Sequence, residues 1–297
     1  MFEYMPMNIA GWGLEIVIYF FLIGTAAMTF AVAAGPATFG RVAEPFRNFE
    51  VIGAIAALVI LVVVVPLLIG DLSQPQRFLN PIIYFRWTSP LSWGSLFLPL
   101  FGLAILGFLY GRYKGNSGIQ RLSAIVGSLL ALSMPLYTGL DLMVNQAREL
   151  WANPTIPVLF VTLSITSGAA LVSLLLLATG KFTAESARLV RFILAFSLGV
   201  TLFLFLGLVQ TMVYGSEELL QAWAAINGEF SLQFWWLGLV VGVLIPLALA
   251  IGPMVLPQMD FARSPVMVTV TGILGAVGAY TLREVIIYAG QLPQLYY

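Results

Sequence analysis

The sequence predicts an all-α integral membrane protein with eight transmembrane helices, on three observations. Hydrophobic residues make up 60% of the chain and charged residues only 9%, with a mean hydropathy of +0.99; ordinary globular chains carry about 25% charged residues. Eight apolar stretches reach the roughly 20 residues that a bilayer crossing needs. The connections between them are short, so an up-and-down bundle with little soluble mass is expected, and no linker or composition shift divides residues 1–297 into separate domains.

Cysteine and histidine are both absent. Their absence removes disulfides, thiolate metal sites, iron–sulfur ligands and bis-histidine haem ligation. A redox metal is therefore not expected in this chain, and nucleic acid is not an expected partner; membrane lipid is.

The first span covers about 12–34. It follows M-F-E-Y-M-P-M, which lacks the basic region of a cleaved signal. Glu15 lies a few residues into it, with Tyr19 one turn deeper on the same face. The second span, 51–70, is closed by Asp71. The third covers 91–111 and the fourth 119–141. The fifth covers 156–179 and the sixth 189–213, with Gln210 near its end. In the loop 214–231, L-L-Q-A-W-A-A-I predicts a short amphipathic helix, lying either on a docking surface or on lipid. The seventh span is 232–252. The eighth, 266–288, carries Arg283 and Glu284 about 17 residues in, roughly 25 Å from its start.

The fourth span runs into Y-T-G-L-D-L-M-V-N-Q-A-R-E-L-W-A-N-P at 137–154. A helix continued through it would put Tyr137, Asp141, Asn145 and Arg148 on one face. A phenol, a carboxylate and a guanidinium on one stripe can hold a polar ligand head, or Asp141 and Arg148 can simply pair with each other at the interface.

Basic residues set the orientation. Nine (Arg41, Arg47, Arg112, Lys114, Arg121, Lys181, Arg188, Arg191 and Arg263) fall on one side. Arg77, Arg86 and Arg148 fall in loops of the other, with Arg283 inside the last span. This predicts that both termini lie outside the cytoplasm. All seven tryptophans lie near the outer side, which suits either anchoring or an aromatic docking surface. Glu15, Asp71, Asp141, Arg283 and Glu284 all fall in the outer third of the spans, whereas the inner half is expected to offer only hydroxyls such as Thr29, Ser128 and Thr201. Ionisable groups within spans mark functional sites. This distribution suits a lipid-soluble ligand that enters sideways and exchanges protons with the outer side.

Several ordered motifs resemble one family. D-L-S-Q-P-Q-R-F-L-N at 71–80 and S-W-G-S at 92–95 look like its loop between spans two and three, with Ser73 where glycine is usual. Y-T-G at 137–139, A-R-E-L-W-A-N-P at 147–154 and P-V-L-F at 157–160 look like its fourth-to-fifth span junction. R-E-V-I-I-Y-A-G-Q at 283–291 resembles its terminal segment, and W-G-L-E-I-V-I-Y-F-F-L-I-G at 12–24 its opening. The family is the NrfD/PsrC type of quinone-interacting membrane subunit, known from polysulfide reductase and related enzymes. The resemblance implies a haem-free subunit of two four-helix bundles in a prokaryotic cytoplasmic membrane. It implies menaquinone or ubiquinone bound near the outer face, a docked ferredoxin-like four-cluster iron–sulfur subunit, and a molybdopterin catalytic subunit beyond it. The protein would supply the quinone site and not the terminal catalytic centre. Some members place a histidine beside the quinone, and the matching position here is Tyr19.

A quinone carbonyl needs hydrogen-bond donors and a proton acceptor. Tyr137 or Tyr19 can donate, and Glu15, Asp141 or Asp71 can take protons, with Glu284 at the same depth. Arg148 and Arg283 can hold those carboxylates ionised or stabilise negative charge on the ring. A different class of function is a secondary transporter or proton-translocating module, to which Pro66, Pro99, Pro135 and Pro246 would lend broken helices. A transporter site belongs near the midplane, where this sequence is poor in charge.

The charge bias makes one prediction. A reporter active only in the cytoplasm, fused after Tyr297, should be silent, and a strong signal would reverse the topology.

Overall fold

The computed structural model describes residues 11–292, apart from Ser73 and the side chains of Asp71 and Pro257. Without water to satisfy peptide groups, a polypeptide in lipid must close its hydrogen bonds within each segment, and the described residues are helical throughout the spans. The long helices are α1 (Leu14–Phe39), α2 (Glu50–Asp71), α4 (Pro90–Lys114), α5 (Ser117–Met143), α6 (Thr155–Ala178), α7 (Ala184–Val213) and α10 (Pro265–Ala289). A π-helical stretch, Leu232–Leu244, runs directly into α9 (Ile245–Val255) to make one further span. Short helices α3 (Asn80–Ile83) and α8 (Glu217–Asn227) decorate the tryptophan-bearing end.

By length and composition, seven helical stretches among the described residues can cross a membrane. The first of them runs 57 residues, from Leu14 to Gly70. At 1.5 Å per residue this would be about 85 Å, far more than a bilayer. It comprises α1 and α2, which pack side by side. The 3-10 turn Gly40–Phe49 folds them back on each other, and it starts at Gly40 with φ +60°, a conformation that side chains disfavour. Among the described residues seven such runs thus stand where eight spans were expected, because α1 and α2 are joined into one helical run.

α1, α2, α4 and α5 pack as one group, and α6, α7, α9 with its π-helical lead, and α10 as another. The groups meet where α6 contacts α1 and α5, and where α10 contacts α1. This is the expected pair of four-helix bundles. Small residues let the backbones approach, as membrane helix packing requires. Gly168 of α6 lies against Met28 and the Thr29 nitrogen of α1, and Gly242 lies against Gly278 of α10.

Two expectations about charge need correction. The half of the bundle away from the tryptophan-bearing end is not limited to hydroxyls. Glu50, only 2% exposed, opens α2 and bonds Arg112 Nε at 3.1 Å and Gln120 Nε2 at 3.1 Å, joining α2 to α4 and α5. Arg191, counted among the basic residues of that side at the edge of the sixth span, lies buried within α7, about 10 Å from its start. Nor does Arg283 belong to the outer third by its charged head. Its guanidinium turns back to the carbonyl of Ala279, about 15 Å from the end of α10 and close to mid-bilayer.

The Gly242–Gly278 contact leaves no room for a side chain: a Cβ on Gly278 would sit 2.8 Å from the Gly242 carbonyl carbon. Gly278→Leu should therefore destabilise the second bundle by about 1–3 kcal/mol, measured as a lower thermal unfolding midpoint in detergent.

Candidate functional site

Four helices of the first bundle converge near the tryptophan-bearing end on a small cavity of about 40 Å³. α1 contributes Ile16, Tyr19 and Phe20, and Trp12 comes from just before it. α2 contributes Leu68, α4 contributes Leu91, Gly94 and Ser95, and α5 contributes Tyr137 and Asp141. The polar side chains are two phenols, one carboxylate and the Ser95 hydroxyl in largely apolar walls. The Tyr19 and Tyr137 hydroxyls hydrogen-bond each other across the α1–α5 interface, and both residues are buried. Asp141 stands one turn beyond Tyr137 on the same face of α5. Gly94 is required by the Tyr137 ring, since a Cβ there would lie 2.8 Å or less from ring atoms.

Tyr137 is also the partition to a second, open groove of about 280 Å³ between α4 and α5. Trp87, Trp93 and Phe97 line one side, and Leu136 and Leu140 the other. Phe85, Trp87 and Trp93 pack edge to face at 5.0–5.3 Å, and Trp93 Nε1 donates to the Trp87 carbonyl at 3.0 Å. The Tyr137 ring thus stands between an aromatic-walled groove and the enclosed cavity, which has space for one or two waters.

The structure brings together Tyr19, Tyr137 and Asp141, and places Glu15, Arg148, Arg283 and Glu284 elsewhere. Helix α5 stops at Met143, where Asn145 Nδ2 donates to the carbonyls of Asp141 (2.7 Å) and Leu142 (3.2 Å). Such local bonds compete with helix continuation, so the expected stripe breaks after Asp141. Arg148 instead reaches α10's end, donating to the carbonyl of Gln291 at 2.8 Å and approaching that of Gly290 at 3.5 Å. Glu15 is exposed on α1, and Glu284 lies on the Tyr280–Tyr288 stripe of α10. Neither lines the cavity. Asp71 ends α2, two turns or less from Leu68, but its side chain lies outside the described residues.

Arg283 forms a separate buried cluster at the meeting of α1, α6 and α10. Its Nη1 donates to Ala279 O at 2.8 Å, and its Nη2 to Phe160 O at 2.9 Å and Ser164 Oγ at 2.6 Å. The guanidinium also lies 5.2 Å from the centre of the Phe160 ring. Among the described residues it meets no carboxylate, and its Nε has no hydrogen-bond partner. The expected role of holding a carboxylate ionised is not what this geometry provides.

The sequence motifs conceal a knot that their spacing alone does not reveal. Gln291 takes the Trp12 backbone N–H on Oε1 at 2.8 Å and donates from Nε2 to the Trp12 carbonyl at 3.1 Å. Trp12 stacks on Trp151 at 5.2 Å, and Trp151 Nε1 donates to Ile286 O at 2.9 Å. Gly290 passes so close to the Trp151 indole that a side chain there would collide. Trp12, which lines the cavity, is therefore held from the far bundle.

The model of the polysulphide reductase NrfD family matches residues 3–293. Among curated proteins, the sequence is 27% identical over 315 residues to protein NrfD of Escherichia coli, covering 95% of each. It is 27% identical over 310 residues to the C chain of polysulfide reductase from Wolinella succinogenes, covering 96% of this protein and 95% of that one. It is 24% identical over 299 residues to the Hdr-like menaquinol oxidoreductase integral membrane subunit of Archaeoglobus fulgidus, covering 97% of this protein and 73% of the relative.

Proposed function

The chain belongs to the polysulphide reductase NrfD family, and on that premise we propose that it is the quinone-binding membrane subunit of a reductase complex. It would exchange electrons between the membrane quinone pool and an iron–sulfur subunit docked at the tryptophan-bearing end, with a molybdopterin subunit beyond. The observation that carries this reading is the Tyr19–Tyr137 phenol pair, with Asp141 one turn away, in an apolar cavity beside a lateral groove. The names of the relatives support it, since one is a component of polysulfide reductase and another a subunit of a menaquinol oxidoreductase.

The donor set fits a ring carbonyl flanked by hydrocarbon. A bound quinone supplies two-electron, two-proton redox chemistry. The protein's own residues would bind and orient it, the Tyr19 and Tyr137 hydroxyls supplying hydrogen-bond donors for a ring carbonyl. Gly94 leaves the Tyr137 ring room against α4. Trp12 and Phe20 close the cavity on its α1 side and exclude bulk water. Asp141 holds or moves the proton at the phenol pair, and its place near the end of α5 connects that proton to the aqueous phase on the tryptophan-bearing side, taken as the outer one from the charge bias.

Two measurements test this reading. Asp141→Asn keeps shape but cannot titrate, so the complex should assemble while quinol turnover falls by roughly 10²–10⁴; unchanged turnover would remove Asp141 from the mechanism. Cross-links from the iron–sulfur partner should map to 71–92, 142–156 and 214–231, where α8 presents its amphipathic face. Cross-links at 41–50, 112–121 or 181–191 would place the partner on the wrong end.

A further inference from the structure

At the opposite, arginine-rich end, we propose a binding site for the phosphate headgroup of an anionic membrane phospholipid. A groove of about 590 Å³ opens between the turn after α1 and the first turns of α7, lined by Arg41, Arg188 and Arg191. It adjoins a second cavity of about 400 Å³, which shares Arg188 and Arg191 and adds Arg263. Four guanidinium groups from three separate parts of the sequence thus face one space. Like charges this close repel unless an anion lies between them.

The protein itself supplies little to offset them. Glu185 is the only acid lining the groove, and Asp260 is bound at 3.1 Å by Arg263. Among the described residues Arg41, Arg188 and Arg191 have no carboxylate within ion-pair distance. Arg191 is 9% exposed, and its buried Nε has no hydrogen-bond partner. Guanidinium presents a planar fork of donors suited to phosphate oxygens, and the start of α7 adds the positive end of its dipole.

The surroundings select a lipid phosphate over a soluble one. The groove is walled by Leu189, Phe192 and Met254, and it continues into an exposed apolar face. Phe192 and Phe196, one turn apart on α7, are 62% and 61% exposed. A headgroup held by the arginines would lay its acyl tails along these rings. Basic pockets between spans at the arginine-rich side are the recognised setting for acidic lipids.

The test uses the full-length protein in mild detergent, stripped of native lipid. Adding phosphatidylglycerol or diphosphatidylglycerol should raise the thermal midpoint of the wild type, while phosphatidylcholine should not. Arg41 and Arg188 are exposed and make no structural bonds among the described residues, so Arg41→Gln/Arg188→Gln should fold normally. In that variant the acidic-lipid concentration giving half the shift should rise about thirtyfold, with the lipid-free midpoint no lower than that of the wild type. An equal response in wild type and variant, or an equal response to phosphatidylcholine, overturns the proposal. A shift produced as well by inorganic phosphate would show a free-anion site and overturn the lipid assignment.

Discussion

In a bilayer the hydrophobic effect does not press helices together, so the association of these spans rests on close packing and hydrogen bonding along α6. This helix touches α1 and α5 in one bundle and α7 and α10 in the other. It carries buried Thr162, Ser164, Thr166, Ser167 and Ser173, each donating to a carbonyl within its own helix. None of these hydroxyls is therefore stranded in hydrocarbon. Several serve a neighbour as well: Thr25 donates to Ser167 at 2.8 Å, Thr201 to Thr162 at 2.9 Å, and Thr166 and Ser197 lie 2.9 Å apart. Arg283 adds the tie from α10. A buried guanidinium is costly in such a setting unless its donors are used, and here two of its three nitrogens reach α6 or α10 oxygens.

This seam also governs the phenol cavity, although the cavity lies wholly in the first bundle. Its α1 wall is positioned by contacts from the second. Gln291 pins both backbone polar groups of Trp12, and Trp151 stacks on the same indole while its own nitrogen is held by α10. Arg148 fastens the intervening loop to the end of α10. The geometry around Tyr19 and Tyr137 thus depends on residues at the opposite end of the sequence.

What the sequence revealed follows from which signals are local. Span lengths, the basic bias and the amphipathic pattern of α8 are read within a window of about twenty residues, and the all-helical membrane architecture follows from them. The pairing of Tyr137 with Asp141 was legible because both lie on one helix at a spacing of four. Asn145 and Arg148 were misplaced because a side-chain cap ended that helix, an effect that a continued 3.6 period cannot anticipate. The head of Arg283 was misjudged for a related reason: depth was counted at its Cα, whereas helical side chains lean toward the N-terminus. Glu50 and Arg191 sit at span ends, where burial is decided by neighbours that are distant in sequence. No periodic signal marks the π-helical stretch before α9.

The phenol pair has a consequence for selectivity. One hydroxyl donates to the other, so each phenol oxygen has a partner while the cavity is closed. A stray acyl tail drifting into the side groove offers no acceptor; parting the tyrosines would leave two hydroxyls unmet in hydrocarbon, at about 1–3 kcal/mol each. A molecule bearing a carbonyl replaces the lost bond as it enters. On the proposed reading the pair would therefore work as a latch that an acceptor lifts and a bare acyl tail does not, so that tails at the groove would be turned away by chemistry rather than by size.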